Sequence, residues 1–75
     1  MINKYNPAFN VGDTVYCFDD DYTLFDCVVY RVEIQVCGMI EYTAYTCGFT
    51  DDDINQWVFK SEEDRANFML MRIGE

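Results

Sequence analysis

Cys27-Val28-Val29-Tyr30-Arg31-Val32-Glu33-Ile34-Gln35-Val36-Cys37 is β-branched or aromatic through most of its length and alternates along it. Val28, Tyr30, Val32, Ile34 and Val36 fall on one face, and Arg31, Glu33 and Gln35 on the other. A period of two with one apolar face predicts a half-buried antiparallel strand, so the chain is built around a sheet. Toward the C-terminus, Gly38 marks a turn, and 39–47, rich in Tyr and Thr, predicts a strand with Ile40, Tyr42 and Ala44 on its inner face. Gly48 closes that strand, 49–55 predicts a loop, and Trp57-Val58-Phe59 a short last strand. Toward the N-terminus, the chain is extended back to Tyr22, Asp19, Asp20 and Asp21 form a hairpin connection, and 14–18 is a first strand. Val11-Gly12-Asp13 is the turn that enters it, after a loop over 6–10.

At Ser61 the period changes. Ser61 is a good N-cap, Asp64 stands where a capping box places an acid, and Ala66, Met69, Leu70 and Ile73 recur at helical spacing. Glu62, Glu63 and Asp64 in the first turn and Arg72 near the end suit the helix dipole. The expectation is one domain over 1–75, with a strand-rich body at 1–60 and a C-terminal helix at 61–73. Its class is mainly β (α+β), a small antiparallel barrel of four to five strands with one helix, because so few short strands bury their faces only by curling or by packing on the helix.

A chain of 75 residues removes only roughly 60% of its unfolded surface from water. Hydrophobic residues at 51% and aromatics at 17% nevertheless exclude a disordered acidic tail. No stretch approaches the roughly 20 apolar residues of a membrane helix, and the first residues lack a secretory pattern, so a cytoplasmic location in a bacterial host cell and no membrane partner are expected. Cysteines at 17, 27, 37 and 47 lie ten apart. In a reducing compartment they are expected as free, mostly buried thiols, and zinc is not expected because no pair has the usual close spacing.

Charge is the other strong signal. Fourteen acids face five basic residues and no histidine, for a net charge of −9. The acids come in three runs: Asp19, Asp20 and Asp21; Asp51, Asp52 and Asp53; and Glu62, Glu63 and Asp64. An enzyme is not expected, because no histidine activates a cysteine, no nucleophile elbow or Ser-x-x-Lys pair is present, and consecutive loop aspartates ionise together. The same charge repels phosphates, which argues against direct nucleic-acid binding. Asp51, Asp53, Asn55 and Glu62 fit calcium-loop positions 1, 3, 5 and 12, but Gln56 stands where the loop requires Gly, and Trp57 reads as strand. No metal or cofactor is therefore expected.

Phe9-x-Val11-Gly12-Asp13-x-Val15-Tyr16, the long Val/Ile strand and Val58-Phe59-Lys60-Ser61-x-Glu63 before the helix together resemble small barrel proteins of Src-homology-3-like shape from bacteriophages and mobile elements of Gram-positive bacteria. The resemblance implies that the first motif opens the first strand and the last motif ends the sheet and starts the helix. Small acidic phage proteins of this size include inhibitors of CRISPR effector nucleases and of restriction enzymes, so the resemblance also implies an inhibitor.

Three readings of the acidic runs follow. They solubilise a small apolar domain; they imitate a phosphate backbone, with Asp26 extending the first run; or they surround aromatic anchors drawn from Tyr5, Phe9, Tyr16, Phe18, Tyr22, Phe25, Tyr42, Tyr45 and Trp57. The expected partner is a basic nucleic-acid-binding protein or nuclease, with a CRISPR effector as the first expectation, bound through Asp26 and the three acidic runs. The alternative is a non-inhibitory interaction module that uses an aromatic surface or a sheet edge.

Overall fold

The computed structural model describes residues 7–73. Its strands are β1 (Thr14–Phe18), β2 (Leu24–Ile34), β3 (Ile40–Ala44), β4 (Gly48–Thr50) and β5 (Val58–Phe59), followed by the helix α1 (Glu62–Ile73). They form one sheet in the order β4-β3-β2-β1-β5, with every neighbouring pair antiparallel. The sheet curls into a half-barrel of Src-homology-3-like type with the helix against its β1 and β5 side. No helix among the described residues is long and apolar enough to cross a membrane.

β2 is long because it belongs to both halves of the sheet. Leu24 to Val28 pair with β1, Val29 to Ile34 pair with β3, and the register slips between Val29 and Arg31, which leaves Tyr30 as an extra residue. Such a bulge bends a strand and increases its twist. It also corrects the expected inner face. Before the bulge, Cys27 and Val29 point into the core while Val28 and Tyr30 are exposed; beyond it the phase inverts and Val32 is half-buried. Ile34 and Val36 are exposed, the latter already in the turn past the strand. A continuous alternation in sequence thus conceals a break in phase.

The other strands match their patterns more closely. Ile40, Tyr42 and Ala44 are all buried, and Gly38 turns the chain with φ +95°. The segment expected as a loop over 49–55 instead contains β4 and a 3-10 turn at Asp51–Asp53. Phe49 is what makes β4 a strand: it pairs with Tyr42, and their rings stack 4.9 Å apart. Phe9 closes this cluster edge-on against both rings, at 5.7 and 5.8 Å.

Ser61 caps α1 as expected, its Oγ accepting from the Asp64 backbone N–H at 3.1 Å. The buried face is rotated from the expected one. Arg65 is buried and Phe68 and Met69 half-buried, while Ala66 and Leu70 are exposed. The larger ring decides the rotation: Phe68 packs on Phe59 at 5.2 Å and on Phe18 at 5.9 Å, burying more apolar area than Ala66 would. Tyr5 and the side chain of Ile73 lie outside the described residues.

Candidate protein-binding site

Two of the three acidic runs contain a carboxylate that shapes its own backbone. Asp19 Oδ1 accepts from the N–H groups of Asp21 and Thr23, both at 2.9 Å, which folds the β1–β2 turn around its own side chain. Asp20 and Asp21 are left exposed at the tip. In the second run, Asp53 Oδ2 accepts from the Thr50 N–H at 3.0 Å and Asp51 Oδ1 accepts from the Tyr42 hydroxyl at 2.8 Å, while Asp52 is exposed. In the third, Glu62 and Glu63 are exposed and Asp64 is half-buried in the capped first turn.

Asp26 departs from its expected role. Its Oδ1 is held at 2.8 Å by Arg65 Nη1, the same nitrogen that reaches the carbonyls of Cys17 and Phe25 at 3.1 and 3.4 Å. Asp26 is therefore committed to an internal ion pair. The other ion pair among the described residues, Arg31 with Glu33 at 2.9 Å, also lies outside the three runs.

Trp57 brings two of the runs together. Its N–H donates to the Asp53 carbonyl at 3.2 Å, and its own carbonyl accepts from the Phe18 N–H at 3.2 Å, one residue before Asp19. Among the described residues the third run is joined to neither by a backbone bond of this kind, although Asp64 shares a cleft with Ile54 and Asn55, which follow the second run. α1 starts beyond Phe59, which pairs with Tyr16, and only its second turn reaches Phe18 through Phe68.

Beside the first run, Phe18, Asp19, Asp20, Tyr22, Phe25 and Trp57 line an open cleft of about 400 Å³. Tyr22 holds φ at +62°, a left-handed conformation uncommon for a bulky residue and found where a turn is constrained by its surroundings. Aromatic walls with two carboxylates at the mouth form an environment that attracts a cation through ring faces and full charges together. The Phe18 and Tyr22 flanks of the aspartate run were visible in the sequence, whereas Trp57 enters only through the pairing of β5 with β1. A second acidic cleft lies on the β2–β4 side, where Glu33 and Glu41 face each other across the strands near Asp53. Arg31 and Gln35 each donate to one of these two glutamates, which relieves their repulsion.

The calcium spacing has no counterpart in space. Trp57 precedes β5 rather than continuing a calcium loop, and Asp51, Asp53 and Glu62 form no close ligand group among the described residues.

Tyr42 ties the second run to the core. Burial pushes its phenol up to about 12, helped by the hydrogen bond it donates to Asp51. The ordinary phenol near 10 ionises first in the unfolded chain, so the stability Tyr42 contributes is complete below pH 10 and is lost as pH rises toward 12. Thermal melts across that window should show wild type losing on the order of 2 kcal/mol more than Tyr42→Phe. Equal slopes for the two proteins would remove Tyr42 from the alkaline transition.

Comparison with protein-family models, with curated proteins and with solved structures returns no match to this chain.

Proposed function

We propose that this protein binds a basic, nucleic-acid-binding protein and inhibits it by occupying the groove meant for nucleic acid. The observation that carries this reading is the pair of acidic turns on either side of Trp57, which form no ion pair among the described residues and are placed next to an aromatic cleft. Asp20, Asp21 and Asp52 supply exposed charge where phosphates would lie, and the cleft takes a Lys or Arg side chain between Tyr22, Phe25 and Trp57. A bacterial defence nuclease fits this chemistry, and the resemblance to small phage barrels makes a CRISPR effector the first partner to test.

The experiment is cleavage of target DNA by a purified CRISPR effector with increasing amounts of this protein. Wild type should inhibit, less well as salt shortens the Debye length below about 10 Å. The combined variant Asp20→Asn, Asp21→Asn, Asp52→Asn should need at least about tenfold more protein for the same effect. Glu62→Gln with Glu63→Gln, at the helix start and outside the cleft beside Trp57, should change less. Inhibition that is indifferent to both salt and the aspartates would overturn the mimic. One observation favours the alternative: Tyr30 and Tyr45 are exposed on the outer face with their rings 5.0 Å apart. If that pair is the contact, Tyr45→Ala rather than the aspartate variant will abolish binding.

A further inference from the structure

Three cysteines that are ten and twenty residues apart in sequence meet in the core. Cys17 comes from β1, Cys27 from β2, and Cys47 from the residue before β4, and their sulfur atoms all lie within 4.8 Å of one another. One pair, Cys27 and Cys47, is 3.5 Å apart. Close ligand spacing in sequence is a feature of sites built on one turn or knuckle. Strand pairing does the same work here, because Cys17 faces Phe25 across β1 and β2, and Cys27 lies two residues further along β2.

We infer that Cys17, Cys27 and Cys47 form a three-sulfur site for a single soft, thiophilic ion. For a metal–sulfur bond of about 2.3 Å, three sulfurs spread evenly around one ion lie about 4 Å apart, a separation the observed cluster brackets. The chain has no histidine, and the surroundings of the cluster are apolar, with Val15, Val29 and Phe49 in the same core. A fourth nitrogen or water ligand is thus disfavoured, which argues against zinc and for an ion content with three sulfurs, such as Cu(I) or trivalent arsenic. A cluster of irons is too large for this spacing. A thiol binds a soft ion through its deprotonated sulfur, so the ion must displace the thiol protons. With arsenite, three S–H protons leave with the three arsenic-bound hydroxides as three waters, three As–S bonds replace three As–O bonds, and nothing is oxidised or reduced. The product is neutral, which suits a dry site in a chain of net charge −9, whereas Cu(I) on three thiolates leaves two negative charges. Cys47, only half-buried, is the way in, and Cys37, exposed in the β2–β3 turn, takes no part.

The test is a titration of the full, reduced chain without oxygen, because two sulfurs at 3.5 Å are one oxidation from a disulfide. Cu(I) held by a competing chelator, arsenite and Zn²⁺ are the three arms. One equivalent of Cu(I) or arsenite should bind, raise the melting temperature and give an X-ray absorption spectrum with three sulfurs in the first shell. The stronger of the two arms identifies the ion class. Cys17→Ala and Cys47→Ala should each weaken uptake at least tenfold, and Cys37→Ala should not. The absorption measurement on wild type stands even where a core variant fails to fold. A shell with fewer than three sulfurs, zinc held more tightly than both soft ions, or no uptake in any arm would overturn the site.

Discussion

Phe59→Ala should lower the unfolding free energy by about 3–5 kcal/mol, the cost of a large cavity where an aromatic ring was fully enclosed. Phe59 is 2% exposed and stands where three elements meet. It pairs with Tyr16 of β1, and its ring contacts Phe18 at 5.9 Å and Phe68 of α1 at 5.2 Å. β5 has only two residues, so it contributes little backbone pairing of its own, and the helix depends on this ring for its seat. A domain of this length has a total stability of roughly 4–11 kcal/mol, so the variant should be partly unfolded at physiological temperature. Urea titration followed by circular dichroism is the check. A lower midpoint with unchanged slope supports the account, and a loss below about 1 kcal/mol would show that the ring does not hold the helix.

Arg65→Ala is the second large effect, expected at about 2–4 kcal/mol. Arg65 is the one buried charged residue among those described, and its Nη1 satisfies two carbonyls and the Asp26 carboxylate together. Its guanidinium also lies over the Tyr16 ring, 5.7 Å from the centroid. Removing it leaves the carbonyls of Cys17 and Phe25 without this partner and opens a void beneath the helix. The value falls short of the fully buried case because the Asp26 side chain is 45% exposed and is rehydrated when its partner goes. Asp26→Asn keeps an acceptor at the same place and should cost about 1 kcal/mol. If the two substitutions cost the same, the ion pair rather than the carbonyl bonds carries the energy.

Much of the fold was legible because the local signals were strong. The limits of β1, the inner face of β3 and the Ser61 cap all rest on short-range chemistry, namely alternation and a side chain reaching its own helix start. The misread elements depend on distant partners. Nothing near Tyr30 announces that it will be unpaired; only β1 and β3, pulling on the two ends of β2, make it so. β4 is a strand because Phe49 finds Tyr42, and α1 turns Arg65 inward because Asp26 and two carbonyls await it across the sheet. The same holds for the site. The acidic runs and the aromatics flanking the first one were plain in the sequence, but their junction at Trp57 and the meeting of three cysteines exist only once the strands are paired.

The bulge at Tyr30 makes chain length, rather than side-chain chemistry, the determinant of curvature at one position. Remove that residue and Val29 is followed directly by Arg31, so Val29 and Val32 keep their inward sides in a regular ladder, but the bend that curls the half-barrel is gone. A gain or loss of one residue elsewhere in β2 does the opposite, keeping the bend and exchanging inside for outside along the rest of the strand. In a lineage of such proteins, single-residue gaps within this strand should therefore be confined to one site, and that site should separate flatter sheets from rolled ones.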